Sequence, residues 1–263
     1  MGIIPESLTT KSRGYSESFY HSLIARYVSP FFSVTFKKVG LRNPNIVTLL
    51  SFLFILISSL MVLNVQMING ILYRVIIAVI IQLSFIFDVS DGQLARITGR
   101  STKSGAWMDR TLDRIGEFSV FLCFGTLAWM QSGQIIFIIL GLITGYGLSL
   151  FSMAMVLRES LYLENLELIV KLKKSGIKRE GENGRIDLFS NRPKFKKIAP
   201  KFLFFLNFGI GERYLYLSFF IILNRVDIML FISSVLTTLR FLSMTGMYWK
   251  KMIKYDNDIN NLS

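Results

Sequence analysis

This chain is nearly empty of the residues with which hydrolases and zinc proteins do their chemistry. It has one histidine, His21, and one cysteine, Cys123, far apart in sequence. A lone cysteine excludes an intrachain disulfide and a thiolate metal cage. A lone histidine makes zinc chemistry and a Ser-His-Asp triad poor fits. Acids are scarce as well, 17 against 30 lysines and arginines, for a net charge of +13. Residues 43–73 and 118–157 carry no charged side chain at all. The opening stretch "MGIIPESLTTKSRGYSES" lacks the apolar core and small-residue cleavage site of a signal peptide, so none is expected. Glu6 stands where a myristoylation sequence carries Ser or Thr.

Apolar side chains fill the charge-free stretches. Hydrophobic residues make up 52% of the sequence, and the mean hydropathy of +0.48 is too high for an ordinary soluble domain. A helix crossing the ~30 Å hydrocarbon layer needs roughly 20 mostly apolar residues. That requirement is met six times, at residues 46–67, 71–96, 105–130, 134–157, 202–223 and 226–249. The expected fold class is therefore an all-α membrane protein, a bundle of six transmembrane helices. Lysine and arginine concentrate before the first span, after the second (Arg96, Arg100, Lys103), after the fourth (Lys171 to Lys197) and after the sixth. The opposite links hold little more than Arg74, "MQSGQ" and "NRVD". Basic residues accumulate on the cytoplasmic side, so both termini and the link at residues 97–104 are expected there. The same clusters suit anionic headgroups. No soluble basic face interleaved with aromatics stands apart, so no nucleic-acid partner is expected.

Ahead of the first span, Phe19, Leu23, Ile24, Tyr27, Val28 and Phe31 recur at helical intervals, which reads as an interfacial amphipathic helix within an N-terminal segment, residues 1–44. Pro30 is expected to end or kink it, and His21 to lie on its surface. Residues 45–249 form one membrane domain that includes a cytoplasmic link at 158–201, and 250–263 form a cytoplasmic tail. The hydrophilic stretch from Lys171 reads as a loop with a helical start.

Charge returns at the second and third spans in "FDVSDGQLARITGRSTKSGAWMDRTLDRIGEF". Asp88, Asp91 and Gly92 are spaced i, i+3, i+4 and share one helix face. Gly105, Asp109 and Asp113 are spaced i, i+4, i+8 and stack on the next helix. The short connection between them predicts antiparallel neighbours with facing acidic sides. Four carboxylates at close quarters repel one another unless cations or protons intervene. They are hard oxygen ligands, and without His or Cys nearby the natural partners are Mg2+ or Mn2+. Gly92, Ala95 and Gly105 leave room beside them, and Arg96 offers a fork suited to phosphate. The pattern points to a diphosphate held against one or two ions.

Read in full, Asp88-x-x-Asp91-Gly92-x-x-Ala95-Arg96, eight residues, then Gly105-x-x-x-Asp109-x-x-x-Asp113 resembles the CDP-alcohol phosphotransferase (CDP-alcohol phosphatidyltransferase) signature at every fixed position. "NPNIVT", with Asn45 and Thr48, resembles the family's Pro-Asn-x-x-Thr at the head of the first span. The resemblance implies transfer of a substituted phosphate from a CDP-linked alcohol, often CDP-diacylglycerol, to the hydroxyl of an acceptor, with CMP leaving. It implies two divalent ions, Mg2+ or Mn2+, held by Asp88, Asp91, Asp109 and Asp113. Asp113 then doubles as catalytic base on the acceptor. Asp91, Gly92, Ala95, Arg96, Gly105, Asn45 and Thr48 would form the CDP pocket. A homodimer in phospholipid synthesis is the family expectation. The acceptor stays open, with Arg158 and Arg213 as candidate contacts for a phosphorylated one, and a soluble CDP-polyol donor is the alternative.

Two rival classes fit these residues less well. A membrane prenyltransferase needs a second Asp-rich motif on a distant span, and none is present. A cation-coupled transporter predicts acids spread along a midplane path, whereas these cluster at one end. Arg110 and Arg114 rotate off the acidic face, where pairing with Glu117 or headgroups is expected. Trp129, Trp249, Tyr214 and Tyr216 read as interfacial anchors.

Overall fold

The structure, a computed structural model, describes residues 19–68, 70–174 and 209–260, and every regular element among them is helical. The chain first forms α1 (Phe19–Leu23), a π-helical turn (Ile24–Val28) and α2 (Ser29–Lys38). Pro30 does not end a helix here. It sits in the first turn of α2, where a missing N–H costs nothing, and the π turn before it absorbs the irregularity. The face turned inward is small and polar. Ser29 donates to Val89 O at 3.2 Å and Ser33 to Ser90 O at 2.9 Å, while Leu23, Tyr27 and Phe31 stay exposed. His21 is half-buried, not a surface residue, its ring edge-on to Phe85 at 5.8 Å.

Six longer helices follow: α3 (Pro44–Leu63), α4 (Ile71–Thr98), α5 (Lys103–Ser132), α6 (Ile136–Lys174), α7 (Ile210–Ile222) and α8 (Val226–Asn260). Their ends are set by local chemistry. Asn43 caps α3, its side-chain oxygen accepting from the Asn45 amide at 3.1 Å, and Pro44 occupies the first turn. Gly99 closes α4 at φ 65°, in the left-handed conformation that glycine tolerates, and the Arg100 amide returns to Ala95 O at 3.0 Å. Thr102 then caps α5 through the Gly105 amide at 3.0 Å.

Four of these helices are long and apolar enough to cross a membrane: α3, α4, the Ile136–Ala154 part of α6 and the Val226–Ser243 part of α8. Bounds differ most from the sequence reading at α3, α6 and α8, the last running on to Asn260 and not ending at Trp249. α3 stops at Leu63, where Asn64 caps it, four residues short of the expected end. α6 runs on to Lys174, because charged residues end a hydrophobic span without ending a helix. Of the expected span at 202–223, residues 202–208 lie outside the described residues.

Packing arranges these helices in a ring, α3 against α5, α5 against α6, α6 against α8, α8 against α7, α7 against α4, and α4 back against α3. The two acidic helices meet at their aspartates, as expected of antiparallel neighbours with facing acidic sides, without packing closely along their length. α3 packs against both α4 and α5, which otherwise scarcely meet each other, so they diverge around it. Elsewhere backbones come close. A Cβ added to Gly141 would lie 2.6 Å from Phe121 O, and one on Gly125 2.8 Å from Phe137 O, so α5 and α6 meet through small residues. Ser51 and Ser84 each donate to the other's carbonyl at 2.9 Å, stitching α3 to α4. Phe85, Phe121, Phe124, Ile81, Leu217 and Ile221 fill the interior, while Leu53, Leu60, Val79, Phe219 and Phe231 face outward.

Candidate functional site

The acidic residues sit where α4 ends and α5 begins. Asp88 and Asp91 lie in the last three turns of α4, and Asp109 and Asp113 in the first three turns of α5. The short Gly99–Thr102 turn reverses the chain so that both helix ends lie at one level. One carboxylate oxygen each from Asp88, Asp91 and Asp109 falls within 4.8 Å of the others. Asp113 adds a fourth carboxyl one turn further along α5. The donor set fits a hard divalent cation. Adjacent oxygens on one octahedral ion at ~2.1 Å stand about 3 Å apart, so a spacing of up to 4.8 Å closes onto one ion with shifts of at most about 2 Å.

Neighbouring residues fix these carboxylates. Thr48 on α3 is buried, donates to Asp91 Oδ2 at 2.5 Å and also returns to Pro44 O at 3.2 Å. The divergence around α3 thus has a consequence at the site: α3 supplies the side chain that orients Asp91. Sequence reading assigned Thr48 to the nucleotide pocket and missed this contact, which joins residues 43 apart. The missing side chain of Gly105 also permits a close helix contact. A Cβ there would lie 2.8 Å from Asn45 Oδ1 and 2.9 Å from Thr102 Oγ1, so it lets the head of α5 close onto α3. Gly92 is open, and the exposed Arg96 guanidinium lies 3.7 Å from where its Cβ would stand. Ala95, one turn from Asp91, is half-buried.

Behind Asp113 lies a chain of charges. Arg114 Nη2 is 3.8 Å from Asp113 Oδ2, and its Nη1 is 2.5 Å from Glu117 Oε2. The other oxygen of Glu117 accepts from Arg213 Nη2 on α7. Glu117 and Arg213 are each 4% exposed. Arg213 thus pairs with Glu117 and not with its neighbour Glu212, which instead accepts from the Tyr20 amide at 3.3 Å. The clue was present in the sequence: Glu117 continues the 105–109–113 stripe by one more turn. Tyr214 is buried, its ring 5.2 Å from that of Phe85, and is not at an interface as expected; Trp249 is exposed. Arg158 lies on α6, but its side chain is outside the described residues. A groove of about 630 Å³ between α5 and α6, lined by Lys103, Trp107, Arg110, Arg114, Ser149 and Ser152 among others, includes none of the four aspartates.

Residues 41–173, half of the chain and all of the aspartate cluster, match the family described as CDP-alcohol phosphatidyltransferase. The chain belongs to this family. Membership in the CDP-alcohol phosphatidyltransferases implies transfer of phosphate groups by a membrane protein. Among curated proteins, it is 33% identical over 110 residues to the "Bifunctional IPC transferase and DIPP synthase" of Aquifex aeolicus (strain VF5), covering 42% of this chain and 23% of that protein. The protein of the same name from Thermococcus kodakarensis is 35% identical over 121 residues, 45% of this chain and 26% of its own length. The "Archaetidylinositol phosphate synthase" of Pyrococcus horikoshii is 35% identical over 86 residues, 33% of this chain and 42% of its own. The chain therefore spans less than half the length of each of these relatives.

Proposed function

We propose that this protein moves a substituted phosphate from a CDP-linked lipid, of the CDP-diacylglycerol kind, to the hydroxyl of an acceptor alcohol, releasing CMP, in phospholipid synthesis. The observation that carries the reading is the convergence of Asp88, Asp91 and Asp109 within 4.8 Å at one end of the bundle. Asp88, Asp91, Asp109 and Asp113 would hold two Mg2+ or Mn2+ ions. When bound, such ions neutralise charge on phosphoryl oxygens and on the departing nucleotide. Asp91, Gly92, Ala95, Arg96, Gly105, Asn45 and Thr48 form the CDP pocket. Within it Thr48 orients Asp91, open Gly92 lets the nucleotide approach, and Arg96 places its fork on a phosphate. Asp113, at the inner end of the cluster, takes the proton of the acceptor hydroxyl.

The names of the relatives favour an inositol phosphate as acceptor. A phosphorylated acceptor would meet Arg158 and Arg213, the latter through an Nε that is buried and without a partner in the described structure. The protein works as a six-span homodimer, with both termini and the site cytoplasmic and α1–α2 in the interface, its exposed Tyr27 and Phe31 toward lipid. Lipid tails then stay in hydrocarbon while the cytidine remains in water.

The test is CMP release by purified protein given CDP-diacylglycerol, or a soluble CDP-polyol in a second arm, with a panel of acceptors including inositol phosphate. Release should require Mg2+ or Mn2+ and a lipid donor. Asp113→Asn should slow it by about 10²–10⁴-fold, the usual worth of a general base. Release that persists in Asp113→Asn removes that residue from its role, and release without divalent metal overturns the reading.

A further inference from the structure

Four charges run in line from α7 to the aspartate cluster: Arg213, Glu117, Arg114, Asp113. Their spacing is uneven. Arg114 is 2.5 Å from Glu117 but 3.8 Å from Asp113, beyond hydrogen-bond reach. Glu117 is held from behind by Arg213, itself 4% exposed and anchored in the core beside Tyr214. Both Glu117 oxygens are thus engaged by guanidinium groups, and it accepts from two helices at once. A carboxylate buried this deeply needs both partners. The arrangement also has a direction: the tighter partner of Arg114 is the one away from the cluster.

We infer that Glu117 is a positioning residue whose task is to hold Arg114 off Asp113. Arg114 follows Asp113 directly in the chain, and its guanidinium already lies within 4 Å of that carboxylate. Without Glu117, no other acid in this line of charges competes for the Arg114 fork, and it closes on Asp113 as a hydrogen-bonded pair. The guanidinium would then occupy the Asp113 oxygen that an acceptor hydroxyl has to reach. Arg213 serves the same end from the other side by fixing Glu117, so α7 is tied to the reaction without touching the metals. The inference rests on the base role proposed for Asp113. It accounts for a buried Glu that does not belong to the aspartate cluster.

The experiment compares Glu117→Gln, Glu117→Gln/Arg213→Gln and Glu117→Gln/Arg213→Gln/Arg114→Gln with wild type in detergent. Three quantities are measured: kcat for CMP release, melting temperature, and Mn2+ binding by electron paramagnetic resonance without substrate. Removing Glu117 alone strands the Arg213 charge and can prevent folding, and the Arg213 double variant removes that charge. Expected is a folded Glu117→Gln/Arg213→Gln protein that still binds Mn2+ at Asp88, Asp91 and Asp109, with kcat down about 10²-fold, the cost of a misplaced reacting group. Adding Arg114→Gln to that protein should recover at least about ten-fold of the lost rate, which a structural role for Glu117 would not produce. No recovery on removing Arg114, or an unchanged kcat in the Arg213 double variant, overturns the inference. Absence of CMP release by wild type would instead strike the proposed function itself.

Discussion

At the scale of single residues, the site depends on side chains that are not carboxylates. Thr48 donates to Asp91 at 2.5 Å from a helix that carries none of the acids. Loss of a hydrogen bond that aims a metal ligand typically costs about 10–100-fold in metal affinity or activity. Thr48→Val should therefore slow CMP release by that factor and raise the Mg2+ needed for half-maximal rate, while Thr48→Ser, which keeps the hydroxyl, should stay near wild type. Equal rates for Thr48→Val and wild type would show that Asp91 needs no such aim. The spacing of the aspartates showed which acids share a face, because helix periodicity is local information. That Thr48 reaches Asp91 and that Arg213 reaches Glu117 was not legible. Those pairs are 43 and 96 residues apart, and single-sequence patterning carries no sign of which distant residues meet.

The helices themselves were more readable than their exact ends. Caps at Asn43, Thr102 and Gly99 are short-range chemistry and stand in the sequence at the bounds of α3, α5 and α4. The expected span at 134–157 follows the apolar run, whereas α6 continues through charged residues to Lys174, in keeping with the helical start expected at Lys171. Pro30, expected to end or kink its helix, follows an irregular π turn without ending the helix. It is a strong breaker inside a helix but a good first-turn residue, and the sequence alone does not say which turn it occupies. At this scale the contact between α5 and α6 makes a sharp prediction. Gly141 lies where any side chain meets Phe121 O at 2.6 Å, backbone that cannot step aside. Gly141→Leu should destabilise the protein by about 1–3 kcal/mol or more, the usual cost of overpacking, read as a lower melting temperature in detergent. Gly133→Ala, at a turn with no atom within 4 Å but a φ of 72°, should cost only about 1 kcal/mol through backbone strain. A Gly141→Leu protein as stable as wild type would mean that α5 and α6 do not meet as described.

For the whole molecule, the ring of six helices explains how four acids coexist in an apolar chain. Both acidic helices pack on α3, and their facing aspartates come together at one end, with Arg96 a little further along α4. The membrane arrangement proposed for this bundle has its own test. In a Cys123→Ala background, Ser101→Cys, in the link between α4 and α5, should react with a membrane-impermeant maleimide only from the cytoplasmic face. Gln134→Cys, in the link between α5 and α6, should react only from the opposite face. Labelling of both from the same side would exclude α5 as a span and with it the six-span topology.

The central claim is that Asp88, Asp91 and Asp109 grip a divalent ion that in turn holds the diphosphate of a CDP-linked alcohol. Its most direct test is magnetic resonance of Mn2+ bound to the purified protein in the presence of a CDP-lipid, read for hyperfine coupling to phosphorus. The account expects resolved coupling to 31P in the wild-type complex and loss of the bound ion in Asp109→Asn. Mn2+ that binds to wild type without any phosphorus coupling, or that binds Asp109→Asn equally well, would contradict it.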